Sequence, residues 1–416
     1  MKYIVILGDG MADLPLDELG SRTPLEAARK PYMDMLARNG DVGMVKTVPD
    51  GMSPGSDTAN LSVLGYNPRI YYTGRSPLEA ISMGITLAPN DVAMRCNLVT
   101  LSDSENYEDA VMIDYSSGEI TSEESARLIE ALKARLQSDF ADLYAGISYR
   151  HCLVLHNAET GSVCTPPHDI SGKPIRGYLP KGRHGGQLLD MMKLSREILR
   201  DHPVNLSRIA RGLNPANSCW FWGEGTAPSL PPFREKYGID GGVVSAVDLI
   251  KGIGICSGLK VASVEGATGN IHTNFKGKAD AALVLLRSGL DFVYIHVEAP
   301  DECGHQGNAP DKVKSIELID RDVLGRLIAG LNESGFDYSL LLMPDHPTPV
   351  SLRTHTSDPV PFVIYRSNSA GSHLADRYTE RLASETGVYI SEGHTLLDRF
   401  VRGLDQGARA TVGTDA

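Results

Sequence analysis

The chain has 416 residues, 42% of them hydrophobic and 22% charged, with a formal net charge of −12. That length is too great for one ordinary hydrophobic core and predicts two domains of a globular protein. The acidic balance argues against nucleic acid or an anionic membrane as partner, since both need basic patches, and no apolar run approaches the ~20 residues of a membrane span.

In chain order, the first apolar run is Tyr3 to Leu7, followed by Gly8, Asp9 and Gly10. It reads as a buried strand rather than an export signal. The six cysteines show no C-x-x-C spacing and read as free thiols of a reducing compartment. A cytoplasmic enzyme is the expectation. Thr23 to Asn39 has the pattern of two short helices split near Pro31. Ser122 to Ser138 reads as a helix and Tyr149 to Leu155 as a strand. Thr165 to Gly186 is too rich in Pro and Gly for long regular structure. Further on, Phe292 to Val297 runs into Glu298, Ala299, Pro300 and Asp301. Asp311 to Asn332 is amphipathic at helical spacing, and Tyr338 to Met343 runs into Pro344, Asp345 and His346. Val360 to Tyr365 is a further strand, and the tail after Gly403 is expected to fray.

Strands alternating with helices predict an open α/β sheet, whose chemistry gathers at the carboxyl ends of the strands. The expected architecture is a discontinuous α/β domain, 1–88 with 240–416, interrupted by a smaller inserted α/β domain, 89–239.

Asp9, Asp301 and Asp345 are delivered to strand ends, with His305, His346 and His355 close to them in sequence. Asp301 and His305 would share one helix face, one turn apart. Three Asp and three His suit two divalent cations with mixed oxygen and nitrogen ligands. Each piece alone also suits a turn or a surface pair; their conjunction at strand ends points to a metal site. Ser56 follows Pro54-Gly55 and opens S-D-T-A-N-L. Ser56 or Asp57 could cap a helix there. A serine beside a divalent cation could equally be a nucleophile, with the helix N-terminus favouring a phosphate.

On the substrate side, cations for a carboxylate or phosphate are expected from Arg150, His151, His168, Lys181 and Arg183, with Asp169 beside His168, and from Lys276 near the return to the first domain. Asp109, Asp114 and Asp169 could instead face an ammonium group. Trp220 and Trp222 are expected to pack rather than to stack on a ligand.

The segments Gly8-Asp9-Gly10, PGSDTAN (54–60), TGRSPLEA (73–80), PPHDISGKP (166–174), EGATGNIHTNFKGKA (265–279), APDECGH (299–305), PDH (344–346) and THTSDPVP (354–361) occur in this order. Together they resemble the cofactor-independent phosphoglycerate mutases of archaeal type, members of the alkaline phosphatase superfamily. The resemblance implies an alkaline-phosphatase-like fold and Ser56 as nucleophile. It implies one metal on Asp301, His305 and His355, and another on Asp9, Ser56, Asp345 and His346. Two divalent ions are implied, Mn²⁺ first with Mg²⁺ or Zn²⁺ as alternatives. The implied reaction interconverts 3-phosphoglycerate and 2-phosphoglycerate through a phosphoserine, with the two domains closing to keep out water. Asn60 stands where the bacterial mutases of the superfamily have His, as is typical of the archaeal type.

GDGMADLP (8–15), TVPDGMSPGSD (47–57), DYSSGEIT (114–121) and NPANSCWFWGEG (214–225) also resemble a bacterial branch proposed to phosphorylate homoserine. A homoserine kinase, or a phosphatase or sulfatase using the same metals, is therefore the alternative. The resemblance leaves oligomeric state open.

Overall fold

A computed structural model describes residues 1–369 and 371–403; the tail expected to fray lies outside the described residues. The chain forms two compact units. One comprises Met1–Tyr72 and the chain from Leu230 onward, and the other is Thr73–Ser229. The sequence reading placed these borders at 88/89 and 239/240. The helix Ser76–Ser82 accounts for part of the difference, because its Ser76 and Glu79 side chains bond to Gly223 and Arg95 of the inserted unit.

The larger unit is built on an eight-stranded sheet. Its centre is three parallel strands, with Lys2–Gly8 between Phe292–Val297 and Tyr338–Met343. All six residues of each flanking strand are buried. A parallel strand covered on both faces needs a near-continuous apolar run, which is why these segments, broken only by His296 and Ser339, are legible in the sequence. Gly241–Val244 and Lys260–Ala262 extend the sheet in parallel on one side. On the other side Val360–Arg366 runs antiparallel to Tyr338–Met343, and Asp41–Val45 antiparallel to that. Asp41–Val45 is therefore parallel to the central strands, and the short Tyr389–Ile390 pairs with it. The C-terminal ends of Lys2–Gly8, Asp41–Val45, Phe292–Val297 and Tyr338–Met343 thus lie along one edge. The N-terminal end of Val360–Arg366 meets them there.

The predicted helix pair is present as Pro24–Ala27 and Pro31–Asn39, each with Pro in its first turn. The amphipathic stretch from Asp311 is helical throughout, as Ala309–Leu318 and Arg326–Glu333 joined by a π-helical segment Ile319–Gly325. In that segment the buried Asp320 carboxylate accepts from the Met33 amide, so it satisfies a donor at the start of Pro31–Asn39.

The inserted unit has a five-stranded antiparallel sheet around Val92–Leu101, which pairs with Arg150–Leu155 on one side and Ser218–Thr226 on the other. The helices Ser122–Leu136 and Gly185–Arg200 contribute buried faces to its core. The Pro/Gly-rich stretch contains 3₁₀ turns and the short strand Lys181–Gly182, and its last two residues open the helix Gly185–Arg200. Among the described residues, no helix is long and apolar enough to cross a membrane.

At one edge of the inserted unit the His156 ring lies between two carboxylates, 3.2 Å from Asp91 and 3.1 Å from Asp142. Burial opposes its charged form, but the hydrogen bonds to Asp142 and Asp91 outweigh burial and raise its pKa above 6.5. The resulting stabilisation is full below about pH 6.5 and is lost as pH rises through the higher folded value. Unfolding free energy should therefore fall across that interval, measured by denaturant titration at several pH values. His156→Gln should flatten the fall, and an unchanged slope in that variant would contradict the assignment.

Candidate active site

Strand ends and the loops that follow them bring seven sequence-predicted residues together in the larger unit. Asp9 follows the first strand. Asp301 and His305 lie on the helix Ala299–Gln306, directly after Phe292–Val297. Asp345 and His346 follow Tyr338–Met343, and His355 stands in the loop leading into Val360–Arg366. Ser56 is the first residue of the helix Ser56–Val63. Gly55, not Ser56 or Asp57, is the N-cap, and Asp57 instead accepts from the Thr58 amide and the Tyr72 hydroxyl. The Ser56 side chain is therefore released from capping and aimed at His346, with Oγ 3.1 Å from Nε2.

Two ligand clusters result. Carboxylate and imidazole atoms of Asp9, Asp345 and His346 lie within 4.8 Å of one another, and so do those of Asp301, His346 and His355. His305 adjoins the second cluster, its Nε2 being 3.3 Å from Asp301 Oδ2 and 2.9 Å from His355 Nε2. Gly10 makes the approach possible. It has φ +60°, and a Cβ there would come 2.5 Å from Thr348 Oγ1 and 2.6 Å from Asp301 Oδ1.

The donor chemistry fits divalent cations. His305 Nδ1 lies 3.0 Å from the Arg353 carbonyl and His355 Nδ1 2.8 Å from the Pro54 carbonyl. A carbonyl only accepts, so both rings carry a proton on Nδ1 and turn Nε2 toward Asp301 and toward each other. Nε2 is therefore the atom each ring would offer to a cation in exchange for a proton. Asp9 Oδ1 is buried with no hydrogen-bond partner among the described residues, while Oδ2 lies 3.0 Å from His296 Nε2. Burial, together with the nearby Asp345, Asp301 and Glu298 carboxylates, holds the Asp9 pKa well above the usual range. Burial also opposes ionisation of Asp301, but hydrogen bonds from His305 and His355 outweigh it and keep the carboxyl well below that range. The Asp301 carboxylate in turn pushes His305 up to about 9. So dense a set of carboxylates and imidazole nitrogens is the composition of a divalent-metal site.

Asn60 contributes too. Its Nδ2 donates to Asp345 Oδ2 at 2.8 Å and its Oδ1 accepts from the Tyr294 hydroxyl. Asp345 Oδ1 accepts from the Gly10 and His346 amides, so that carboxylate is fixed from both sides.

Sequence reasoning missed three buried residues around this centre. His296, in the apolar run FVYIHV, is fully buried, and burial pushes it down to about 3. Lys278 is buried with Nζ 2.8 Å from the His296 carbonyl, and burial lowers it to about 8. Lys276, the residue singled out, is exposed. Helical spacing could have distinguished them, since Lys278 shares the buried face of Phe275–Arg287 with Phe275, Ala279 and Ala282. The third is Lys312, fully buried on Ala309–Leu318.

In the inserted unit, Arg150, His168, Asp169, Lys181 and Arg183 are exposed. Arg183 pairs with Glu159 at 2.6 Å, and Arg150 lies over the Tyr149 ring at 5.4 Å. His151 is buried, and burial pushes it down to about 3; it therefore offers no positive charge near neutral pH. Asp109 pairs with Arg176 at 2.5 Å, and Asp114 accepts from Ser116 and Gly118 within its own turn. Trp220 is core, its Nε1 donating to the Thr165 carbonyl. Trp222 packs between the Arg95 guanidinium at 4.5 Å and the His168 ring at 5.3 Å. Arg95 also pairs with Glu79, as does Arg75. Burial opposes ionisation of Glu79, but Arg95 and Arg75 outweigh it and hold the carboxyl at about 2.

The description "2,3-bisphosphoglycerate-independent phosphoglycerate mutase" matches residues 37–205. A Methanothrix thermoacetophila protein of that name is 51% identical over 403 residues, covering 97% of this chain and 100% of the relative. The chain belongs to this family. A Geobacter sulfurreducens relative, described as a probable mutase of the same kind, is 50% identical over 96% of this chain and 100% of its own length. The cofactor-independent phosphoglycerate mutase of Thermoplasma acidophilum superposes with a TM-score of 0.66 at 27% identity, covering 97% of this chain and 99% of that one. A Pyrococcus horikoshii protein gives 0.81 at 29% identity, covering 98% and 99%. The motifs that carried the resemblance in the sequence thus lie in a chain similar to these mutases along nearly its whole length.

Proposed function

We propose that the protein interconverts 3-phosphoglycerate and 2-phosphoglycerate through a phosphoserine on Ser56. The observation that carries this reading is Ser56 Oγ directed into a cluster of carboxylates and imidazoles, in a chain of the mutase family. Asp301, His305 and His355 would hold one divalent ion, and Asp9, Ser56, Asp345 and His346 the other, with Mn²⁺ the preferred metal. When bound, these ions would lower the proton affinity of the Ser56 hydroxyl and neutralise phosphate charge.

Ser56 Oγ bonds to phosphorus while the bond from phosphorus to the glycerate oxygen breaks. The proton released by Ser56 returns to that oxygen. The glycerate, still bound, turns so that its other hydroxyl attacks the phosphoserine, and Ser56 regains a proton. The step needs no nucleotide and no net proton. The N-terminus of Ser56–Val63 adds backbone donors and a favourable dipole for the phosphoryl group. Arg150, Lys181 and Arg183, with His168 and Asp169, are the residues of the inserted unit proposed to hold the glycerate carboxylate and hydroxyls.

Purified, metal-loaded enzyme should form 2-phosphoglycerate from 3-phosphoglycerate alone. Phosphohomoserine formed from homoserine and ATP, without mutase activity, would replace this reading by a kinase on the same centre. Release of inorganic phosphate as the main product would replace it by a phosphatase.

A further inference from the structure

Thr348 is fully buried in the segment Pro347-Thr348-Pro349 that follows the ligand pair Asp345-His346. Its hydroxyl meets two proposed ligands at once. Oγ1 donates to Asp301 Oδ1, and it lies 3.3 Å from His346 Nδ1. A hydroxyl has one proton to give and lone pairs to receive. With its proton on Asp301, it accepts from His346, which places the imidazole proton on Nδ1. That leaves the lone pair on His346 Nε2, the atom that faces Ser56, Asp9 and Asp345.

Thr348 is itself held on several sides. Its amide donates to the Ala12 carbonyl at 3.2 Å. Its carbonyl accepts from Lys312 Nζ at 2.8 Å, and the same ammonium pairs with Asp13 Oδ2 at 2.7 Å, both side chains being fully buried. Asp13 also accepts from the Val350 amide at 3.1 Å. A Cβ on Gly10 would come 2.5 Å from Thr348 Oγ1, and one on Gly304 would come 2.4 Å from the Thr348 carbonyl oxygen. The loops after two parallel strands and the helix carrying Asp301 therefore converge on this one residue.

We infer that Thr348 is a positioning residue that couples the two metal subsites: a single hydroxyl orients Asp301, a ligand of one ion, and fixes the tautomer of His346, a ligand of the other. The Asp13–Lys312 pair holds the threonine in place. The inference rests on the proposed ligand assignment. Partners that orient metal ligands typically affect affinity by about 10–100-fold.

Thr348→Val keeps the shape and removes the hydroxyl; Thr348→Ser keeps the hydroxyl. Both are compared with the parent and with Asp301→Ala by titrating the metal-free full-length proteins with manganese chloride, read by calorimetry. Thermal unfolding of the metal-free proteins serves as a fold control. The expected result is weakening of both binding events in Thr348→Val by about 10–100-fold, and near-parental binding in Thr348→Ser. Parental binding in Thr348→Val while Asp301→Ala loses an ion would overturn the role of Thr348 and leave the ligand assignment standing. Equal losses in the Val and Ser variants would overturn it as well, since the hydroxyl would then not be the cause. Two bound ions in Asp301→Ala would overturn both the ligand assignment and the coupling built on it.

Discussion

Ser56→Ala is expected to lower kcat for phosphoglycerate interconversion by on the order of 10⁴-fold or more, because no other side chain in the proposed mechanism accepts the phosphoryl group. The fold should be nearly unaffected. Among the described residues the Ser56 side chain makes one polar contact, to His346, whereas its backbone carbonyl, which Asn60 Nδ2 uses, is retained in alanine. Loss of one such half-buried contact costs about 1 kcal/mol. Thermal unfolding and metal titration of the variant, run beside the activity assay, distinguish loss of the nucleophile from loss of the site. A folded, metal-binding Ser56→Ala protein with near-parental turnover would end the covalent mechanism.

The second large effect is expected from the carboxylate at the centre of the cluster. Asp345 is fully buried, and its two oxygens accept from the Gly10 and His346 amides and from Asn60 Nδ2. In Asp345→Asn a negative charge is lost, and the new amide must turn its own donors toward one of those N–H groups. Metal affinity should fall by more than the ~10–100-fold typical of residues that only orient ligands, and activity should fall with it. His355→Ala should lower occupancy of the other subsite. Chelation of the parent enzyme should remove activity and added divalent ion should restore it, because the ligands come from both ends of the chain and only the folded unit assembles them. Two ions per chain and full activity in both variants would contradict the assignment.

The parts of this centre that were legible in the sequence are those where a strand ends. Tyr3 to Leu7, Phe292 to Val297 and Tyr338 to Met343 are apolar except for His296 and Ser339 because both faces of a central parallel strand are covered, and the polar residues just beyond each announce the sheet edge. Gly241–Val244 was not recognised, for a related reason. It opens with two glycines because a Cβ at Gly241 would come 2.7 Å from the Phe292 ring, and that packing requirement hides the strand signal. The buried lysines were hidden by their charge. Lys278 and Lys312 read as solvated residues until their helical register is followed, which puts both on buried faces. Thr348 gives no signal of its own, since only the meeting of Asp301 and His346, 45 positions apart in sequence, shows what its hydroxyl does. In the inserted unit, charge alone suggested Arg150 and Arg183. The Glu79–Arg95–Trp222 cluster depends on strand pairing and packing that no local pattern reveals.

The most direct test of the account is to quench metal-loaded enzyme during turnover of 3-phosphoglycerate in acid and map phosphorylated peptides by mass spectrometry. The account predicts a phosphoryl group on the peptide containing Ser56, formed without nucleotide and absent from Ser56→Ala. Turnover with no phosphopeptide at Ser56 under conditions that preserve phosphoserine, or with the phosphoryl group on a different residue, would contradict it.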